Sequence, residues 1–382
     1  MNITKDVVYA GVDDKDIELF ESQYAVPDGV SYNSYVIFDD KVTVMDTVDG
    51  RKTKEWLEGL KEILGEKKPH YLVVSHVEPD HAGSVAAFLE AYPETEVVGN
   101  AKTFQFLLQF FPELEEKMRK IVVSEGETLS LGSHTLQFFM APMVHWPEVM
   151  VTYEQSEKIL FSADAFGKFG TFDRKDDWVC EARRYYINIV GKYGAMVQML
   201  LKKAAKLDIQ IICPLHGPVL NENLSYYIEK YDIWSSYRAE DCGVLIAYAS
   251  IHGHTARAAE ILAELLKEKG EKTEIFDLAR NDMSEAVEGA FRYDRMVLLS
   301  ATYDGGLFPC MEDFLAHLKN KAYQKRTVAL IENGSWAPMA AKCMRQMLDS
   351  MKEITVLEDV ISIKSALNER NMDALKQLAE NL

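Results

Sequence analysis

Residues 75–84 read SHVEPDHAGS and follow directly from an apolar run, Tyr71–Ser75 (YLVVS). Such a run reads as a buried strand. Four potential metal ligands, His76, Glu78, Asp80 and His81, therefore lie just past a strand's carboxyl end, where the sites of open α/β structures collect. Three further candidates lie downstream. His145 stands in APMVHWPE just before a strand, Asp164 in LFSADAFG just after one, and His216 in IICPLHGP again just after one. A rigid sheet can aim residues at strand edges toward one point. Each histidine alone is most simply structural; the joint pattern is what carries the signal. His70 at a helix end, His134 in a turn with Gly132 and Ser133, and His317 on a helix fit the structural reading.

Seven ligands are too many for one four-coordinate zinc. They suit two metals sharing a bridging carboxylate. Four histidines with three carboxylates move the preference from zinc toward iron or manganese. Paired iron points to redox chemistry with O2 or NO, and a two-zinc hydrolase stays open on composition alone.

The periodicity changes along the chain. Up to about residue 240, strands outnumber helices and arrive in clusters, which is an α+β pattern. Ser31–Thr47 reads as two strands joined at Asp39 and Asp40, and residues 180–206 read as one helical stretch. Residues 241–382 alternate instead. Strands at 243–249, 273–277, 296–301, 327–332 and 354–360 are each followed by a helical pattern, the signature of a doubly wound parallel sheet. The expected domains are therefore 1–240 and 241–382.

Three loops occupy equivalent strand ends in the second half. ASIHGHTA brings Ser250, Ile251, His252, Gly253, His254 and Thr255 to the start of a helix, where backbone N–H groups and hydroxyls suit a phosphate. SATYDGGLF brings Ala301, Thr302, Tyr303, Asp304, Gly305 and Gly306. ENGSW brings Asn333, Gly334, Ser335 and Trp336. Each loop alone is ordinary turn chemistry. In phase on one sheet edge, they suit a flat ring with a phosphate tail. The first loop is not GxGxxG, so a mononucleotide, FMN, is favoured over a dinucleotide.

With 382 residues, the chain is long enough for two or three domains. Sixty acidic against 42 basic residues give a net charge of −18. That balance argues against nucleic acid and against an anionic membrane. Five cysteines without a CxxC exclude a zinc ribbon and a fused rubredoxin-like centre, and a reducing cytoplasm is the default. The N-terminus lacks a basic start with an apolar run, and no apolar run reaches the ~20 residues of a membrane span.

With SHVEPDH, His145, Asp164, LHGP and the three loops together, the chain resembles the flavodiiron proteins, metallo-β-lactamase-fold oxidoreductases with a flavodoxin-like half. Hydrolytic members of that superfamily usually carry HxHxDH; here Glu78 stands at the second His. The resemblance covers nearly the whole chain. It implies a metallo-β-lactamase-like αββα sandwich followed by an α/β flavodoxin-like sheet. It also implies one iron on His76, Glu78 and His145, a second on Asp80, His81 and His216, Asp164 between them, and FMN in the three loops. RRYYINIVGKY also resembles the family and brings Tyr193 toward the metal pocket as a catalytic candidate. Trp146 reads equally as a wall facing the flavin or as a plain core aromatic. The implied activity is reduction of O2 to water, NO to N2O, or both, in the cytoplasm. The implied partners are a small rubredoxin-like electron donor and a second copy of the chain, head to tail, in a dimer or tetramer. No histidine precedes His70, so an N-terminal histidine described for some members has no counterpart, and the choice of gas stays open. The rivals are a dinuclear zinc hydrolase with a regulatory flavodoxin-like half, a plain electron-transfer module and an interaction scaffold.

Overall fold

A computed structural model describes all residues, 1–382. Their contacts divide the chain into two units, Met1–Tyr186 with Ala195–Tyr231, and Ile187–Gly194 with Asp232–Leu382. The sequence reading drew one cut near residue 240. The contacts instead place 187–194 and 232–240 with the second unit, because hydrogen bonds hold them there. Asn188 Nδ2 donates to Ser284 O (3.1 Å), Lys321 Nζ to Asn188 O (2.6 Å), and the Tyr237 hydroxyl to Gly191 O (3.0 Å).

The first unit contains two main sheets. One runs in the order Val7–Tyr9, Tyr35–Ile37, Thr43–Met45, Tyr71–Val73, Glu96–Gly99, Arg119–Val122. The expected hairpin is present, with Tyr35 opposite Met45 and Ile37 opposite Thr43. The other runs Thr128–Ser130, Thr135–Met140, Met150–Glu154, Ile159–Phe161, Ile211–Cys213. A single apolar cluster joins their facing sides, with Tyr35, Met45 and Val73 from the first and Phe138, Met150 and Phe161 from the second. This is face-to-face sheet packing. Helices cover the outside; Thr53–Leu64 turns Trp56, Leu60 and Leu64 inward at helical spacing.

The helical stretch at 180–206 is broken. A helix over Trp178–Tyr185 passes into a π turn, Tyr186–Val190, a 3₁₀ turn, Gly191–Tyr193, and a second helix, Gly194–Ala204. Gly194 is required there, since a Cβ would lie 2.3 Å from Ser235 O.

The second unit is built on a parallel sheet in the order Thr273–Asp277, Asp241–Ala249, Tyr293–Tyr303, Gln324–Asn333, Lys352–Val356. In chain order this is 2-1-3-4-5, with the switch point between Asp241–Ala249 and Tyr293–Tyr303. The expected strand at 354–360 is two strands, Lys352–Val356 and Ile361–Ile363, both paired with Gln324–Asn333. Beneath the sheet, buried Arg326 donates to the carbonyls of Tyr293 (2.7 Å), Tyr237 (2.9 Å), Gln324 (3.1 Å), Lys325 (3.1 Å) and Phe291. No helix is long and apolar enough to cross a membrane.

Candidate functional site

The strand Tyr71–Val73 ends in a turn pinned by Asp46, whose carboxylate accepts from Ser75 N at 2.6 Å. Pro79 then opens a one-turn helix, Pro79–Ala82. Its closing Gly83 packs so near Gly50 that a Cβ would lie 2.6 Å from Gly50 N. This fixes His76, Glu78, Asp80 and His81 around one point. His145 and Asp164 arrive at the ends of the second sheet's strands, and His216 follows Ile211–Cys213.

The donor atoms fall into two groups, His76, Glu78, His145 and Asp164, and Asp80, His81 and His216. Asp164 faces both. Its Oδ2 lies 3.3 Å from His76 Nε2 and 3.4 Å from His145 Nε2, and its Oδ1 lies 3.1 Å from His81 Nε2 and 3.7 Å from His216 Nε2. Glu78 Oε2 is 3.2 and 2.9 Å from Nε2 of His76 and His145. Asp80 Oδ2 is 3.2 Å from Nε2 of both His81 and His216. All four imidazoles thus present the same nitrogen.

A surrounding layer sets that choice. A carboxylate can only accept, so Nδ1–H of His76 donates to Glu148 (2.7 Å). His216 Nδ1–H donates to Ser31 O (2.7 Å). Such outer partners fix the ring tautomer of a ligating histidine. Phe20 and Tyr185 meet the His216 ring at centroid distances of 5.4 Å each, and Trp146 stands edge-on to His76 at 5.3 Å.

The residues present fit a pair of cations. Asp80 Oδ1, Asp164 Oδ2 and His216 Nε2 are buried with no hydrogen-bond partner, a costly state without an ion or proton between them. Burial alone would lower the pKa of His145, yet the Asp164 and Glu78 carboxylates facing its ring raise it to about 9. Burial would raise Glu78 and Asp164, yet the surrounding imidazoles hold both well below the usual carboxylate range. Protons bound this way are those a metal displaces. Glu21, in the turn after Phe20, is open at its surface. The atoms packed around its carboxyl desolvate it, and with the charges of Glu78 and Asp80 they raise it to about 7 against the opposing pull of His145.

In the second unit, a cavity of about 650 Å³ opens at the switch point, within the roughly 300–1,000 Å³ of cofactor sites. Of the sixteen expected residues, twelve line it: Ile251, His252, His254, Thr255, Ala301, Thr302, Asp304, Gly305, Asn333, Gly334, Ser335 and Trp336. Ser250, Gly253, Tyr303 and Gly306 do not. They shape the loops instead: Ser250 Oγ accepts from Gly253 N at 3.2 Å, and Tyr303 pairs with Gly306 in a tight turn. Gly253 has φ +86°, a left-handed value that spares it the Cβ strain at the start of helix His254–Glu268. Trp336 stands at the cavity 83% exposed.

Ala337, Met339 and Ser365 also line the cavity and were missed from the sequence. Ser365 comes from a distant loop, tied in where Asn333 Nδ2 donates to Ser365 O and Ser365 N donates to Asn333 Oδ1, each at 3.0 Å. Glu148, Ser31 and Tyr185 were missed as well. Tyr193, the catalytic candidate of the sequence, groups with the second unit, and its ring lies 6.0 Å from the Lys192 ammonium; two tyrosines meet the His216 ring, Tyr185 at 5.4 Å and Tyr32 at 6.0 Å.

Residues 30–217 match the ODP family of β-lactamase domains, and residues 245–377 match a flavodoxin domain. The solved rubredoxin oxygen:oxidoreductase of Desulfovibrio gigas is 25% identical and superposes with a TM-score of 0.92, covering 100% of this chain and 96% of that one. The chain belongs to the flavodiiron proteins. A nitric oxide reductase of Moorella thermoacetica is 29% identical, covering 92% of this chain and 90% of its own. The flavodiiron protein of Giardia intestinalis, 24% identical, shares the fold with a TM-score of 0.93, covering 100% of this chain and 95% of that one. The flavodiiron architecture accounts for both sites: non-haem iron is the metal of the ligand cluster and FMN the flavin of the cavity.

Proposed function

We propose that this flavodiiron chain reduces O2 to water, NO to N2O, or both, taking electrons from an external donor through FMN. The observation that carries the reading is Asp164, whose two oxygens each serve a different trio of ligands. His76, Glu78 and His145 would hold one iron, Asp80, His81 and His216 the other, with Asp164 between them. The iron pair would supply electrons and polarise the gas, and FMN would resupply the electrons.

The chain's own residues orient and exclude. Glu148 and Ser31 aim Nε2 of His76 and His216 at the centre. Phe20, Tyr185 and Trp146 pack against the ligand rings and keep water from them. Glu21 faces the charges of Glu78 and Asp80 from the rim. Thr255, Thr302 and Asn333, with their loops, would hold the flavin. The names of the relatives support a rubredoxin-like donor, and the family resemblance supports a head-to-tail homodimer or tetramer in the cytoplasm. Glu78 in place of a second histidine favours iron over the two-zinc hydrolase.

The test is the iron, zinc and FMN content of purified protein, followed by O2 and NO consumption with a reduced rubredoxin. About two irons and one FMN per chain, the content a binuclear centre with one flavin requires, is the expected result. Zinc in protein made with iron available would overturn the redox reading.

A further inference from the structure

Outside the centre described above, a second histidine is set among carboxylates. His134, 3% exposed, opens the strand Thr135–Met140. Its Nδ1–H donates to Asp39 Oδ2 at 2.8 Å. Asp39 is held in turn by the N–H groups of His134 (2.6 Å) and Ser133 (3.1 Å). The ring is therefore fixed, and its Nε2 faces the turn that carries Glu157. Glu157 Oε2 lies 3.7 Å away, and the donor atoms of Asp6, His134 and Glu157 all fall within 4.8 Å of one another. Nε2 makes no hydrogen bond there. A lone pair facing the Glu157 carboxylate, with Asp6 close by, is repulsive, so the arrangement calls for a cation or a proton at its centre.

We propose that Asp6, His134 and Glu157 form a third metal site, for a divalent transition ion such as Zn²⁺, with water completing the shell. One imidazole and two carboxylates are a recurring ligand set, and a tetrahedron with ~2.1 Å bonds has edges of about 3.4 Å, close to the nitrogen–oxygen separation here. The charges balance: two carboxylates against one dication, with a neutral ring. The surroundings match a built site. Asp39 behind His134 is the carboxylate–histidine–metal arrangement. Thr4 Oγ1 donates to Glu157 Oε2 at 2.6 Å and accepts from Val7 N at 3.0 Å, so it orients one ligand and fixes the turn that carries another. Glu154 holds the third turn through Ser156 N (2.8 Å) and Glu157 N (2.6 Å). The ion would join three segments that the chain separates widely: the approach to strand Val7–Tyr9, the turn before Thr135, and the turn between Met150–Glu154 and Ile159–Phe161. Its role is that of a staple, remote from the reaction.

The test uses the iron- and FMN-loaded protein, incubated with micromolar Zn²⁺, gel-filtered and analysed for zinc and iron together. One retained zinc per chain with iron unchanged is expected, along with a higher Tm. Asp6→Asn, at a carboxylate that makes no hydrogen bond of its own, should weaken zinc retention at least tenfold and abolish the Tm rise while leaving iron and FMN content intact. Glu157→Gln should do the same. Co²⁺ in place of zinc should give a visible four-coordinate spectrum that both variants lose. The proposal is overturned if no zinc is retained, if zinc enters only as iron leaves, or if both variants retain as much zinc as the parent. A Tm that responds to pH across the histidine range but not to zinc would also overturn it, by assigning the centre to a proton.

Discussion

The Glu148 carboxylate lies 2.7 Å from Nδ1 of His76, and neither side chain is exposed to solvent. The same oxygen accepts from Val77 N at 2.9 Å, so Glu148 orients both the ligand ring and the turn that carries it. Glu148→Gln keeps the shape and weakens the pull on the ring. Loss of such an outer partner typically costs 10–100-fold in metal affinity. A chelator competition on purified protein should show a loss in that range; unchanged retention would mean that the ring needs no such partner.

Asp164→Asn removes the charge that the two ligand trios share. Iron content should fall well below two per chain and gas consumption should be lost, while FMN content stays at the parent level because the flavin loops lie in the other unit. Normal iron with normal turnover would show that the shared carboxylate is dispensable.

Asn333 ties the Ser335–Trp336 loop to Ser365 through two hydrogen bonds at 3.0 Å. Each bond is worth about 1 kcal/mol. Asn333→Ala should raise the FMN dissociation constant by about tenfold, read from the recovery of free-flavin fluorescence on dilution. A change below twofold would show that the loop is held by other means.

Asp39 supplies a pH dependence. Burial alone would raise its carboxyl; the N–H groups of His134 and Asp40 and the His134 imidazole outweigh it and hold the carboxyl well below the usual range. A depressed folded-state value adds stability above the unfolded carboxylate value, near 3.9, and that stability is lost as the pH falls through the folded one. Asp39→Asn should therefore lower Tm at pH 7. The gap should persist down to about pH 4 and close only in stronger acid. A gap already closed at pH 5 would contradict the assignment.

Arg326 satisfies five carbonyls beneath the second sheet. Arg326→Met leaves the three buried ones, of Tyr293, Gln324 and Phe291, without that donor. Denaturant unfolding should show a loss of about 3 kcal/mol or more.

Much of this was legible because its signals are local. The ligands at 76–81 sit within one turn of each other, and five strand–helix alternations mark the parallel sheet. What escaped notice was assembled from far apart. Glu148 is an acidic residue three positions past His145, and nothing in its own neighbourhood says that it will reach back to His76. Ser31 acts through its carbonyl, which no side-chain pattern reveals. Val7–Tyr9 has three residues, too few to display a strand's alternation. The helix Leu224–Ser235 carries little amphipathic contrast in LSYYIEKYDIWS and was not read as one. His134 looked structural because its partners, at 6, 39 and 157, are contributed by three other turns.

A planar carboxylate cannot turn one oxygen without turning the other. An ion taken up beside His76 and His145 would lock Asp164 and, in the same motion, set its second oxygen for the ion beside His81 and His216. Loading should then be cooperative. Protein given half its complement of iron would separate into empty chains and full ones, with few in between, and an average content of one would describe almost none of the molecules in the tube.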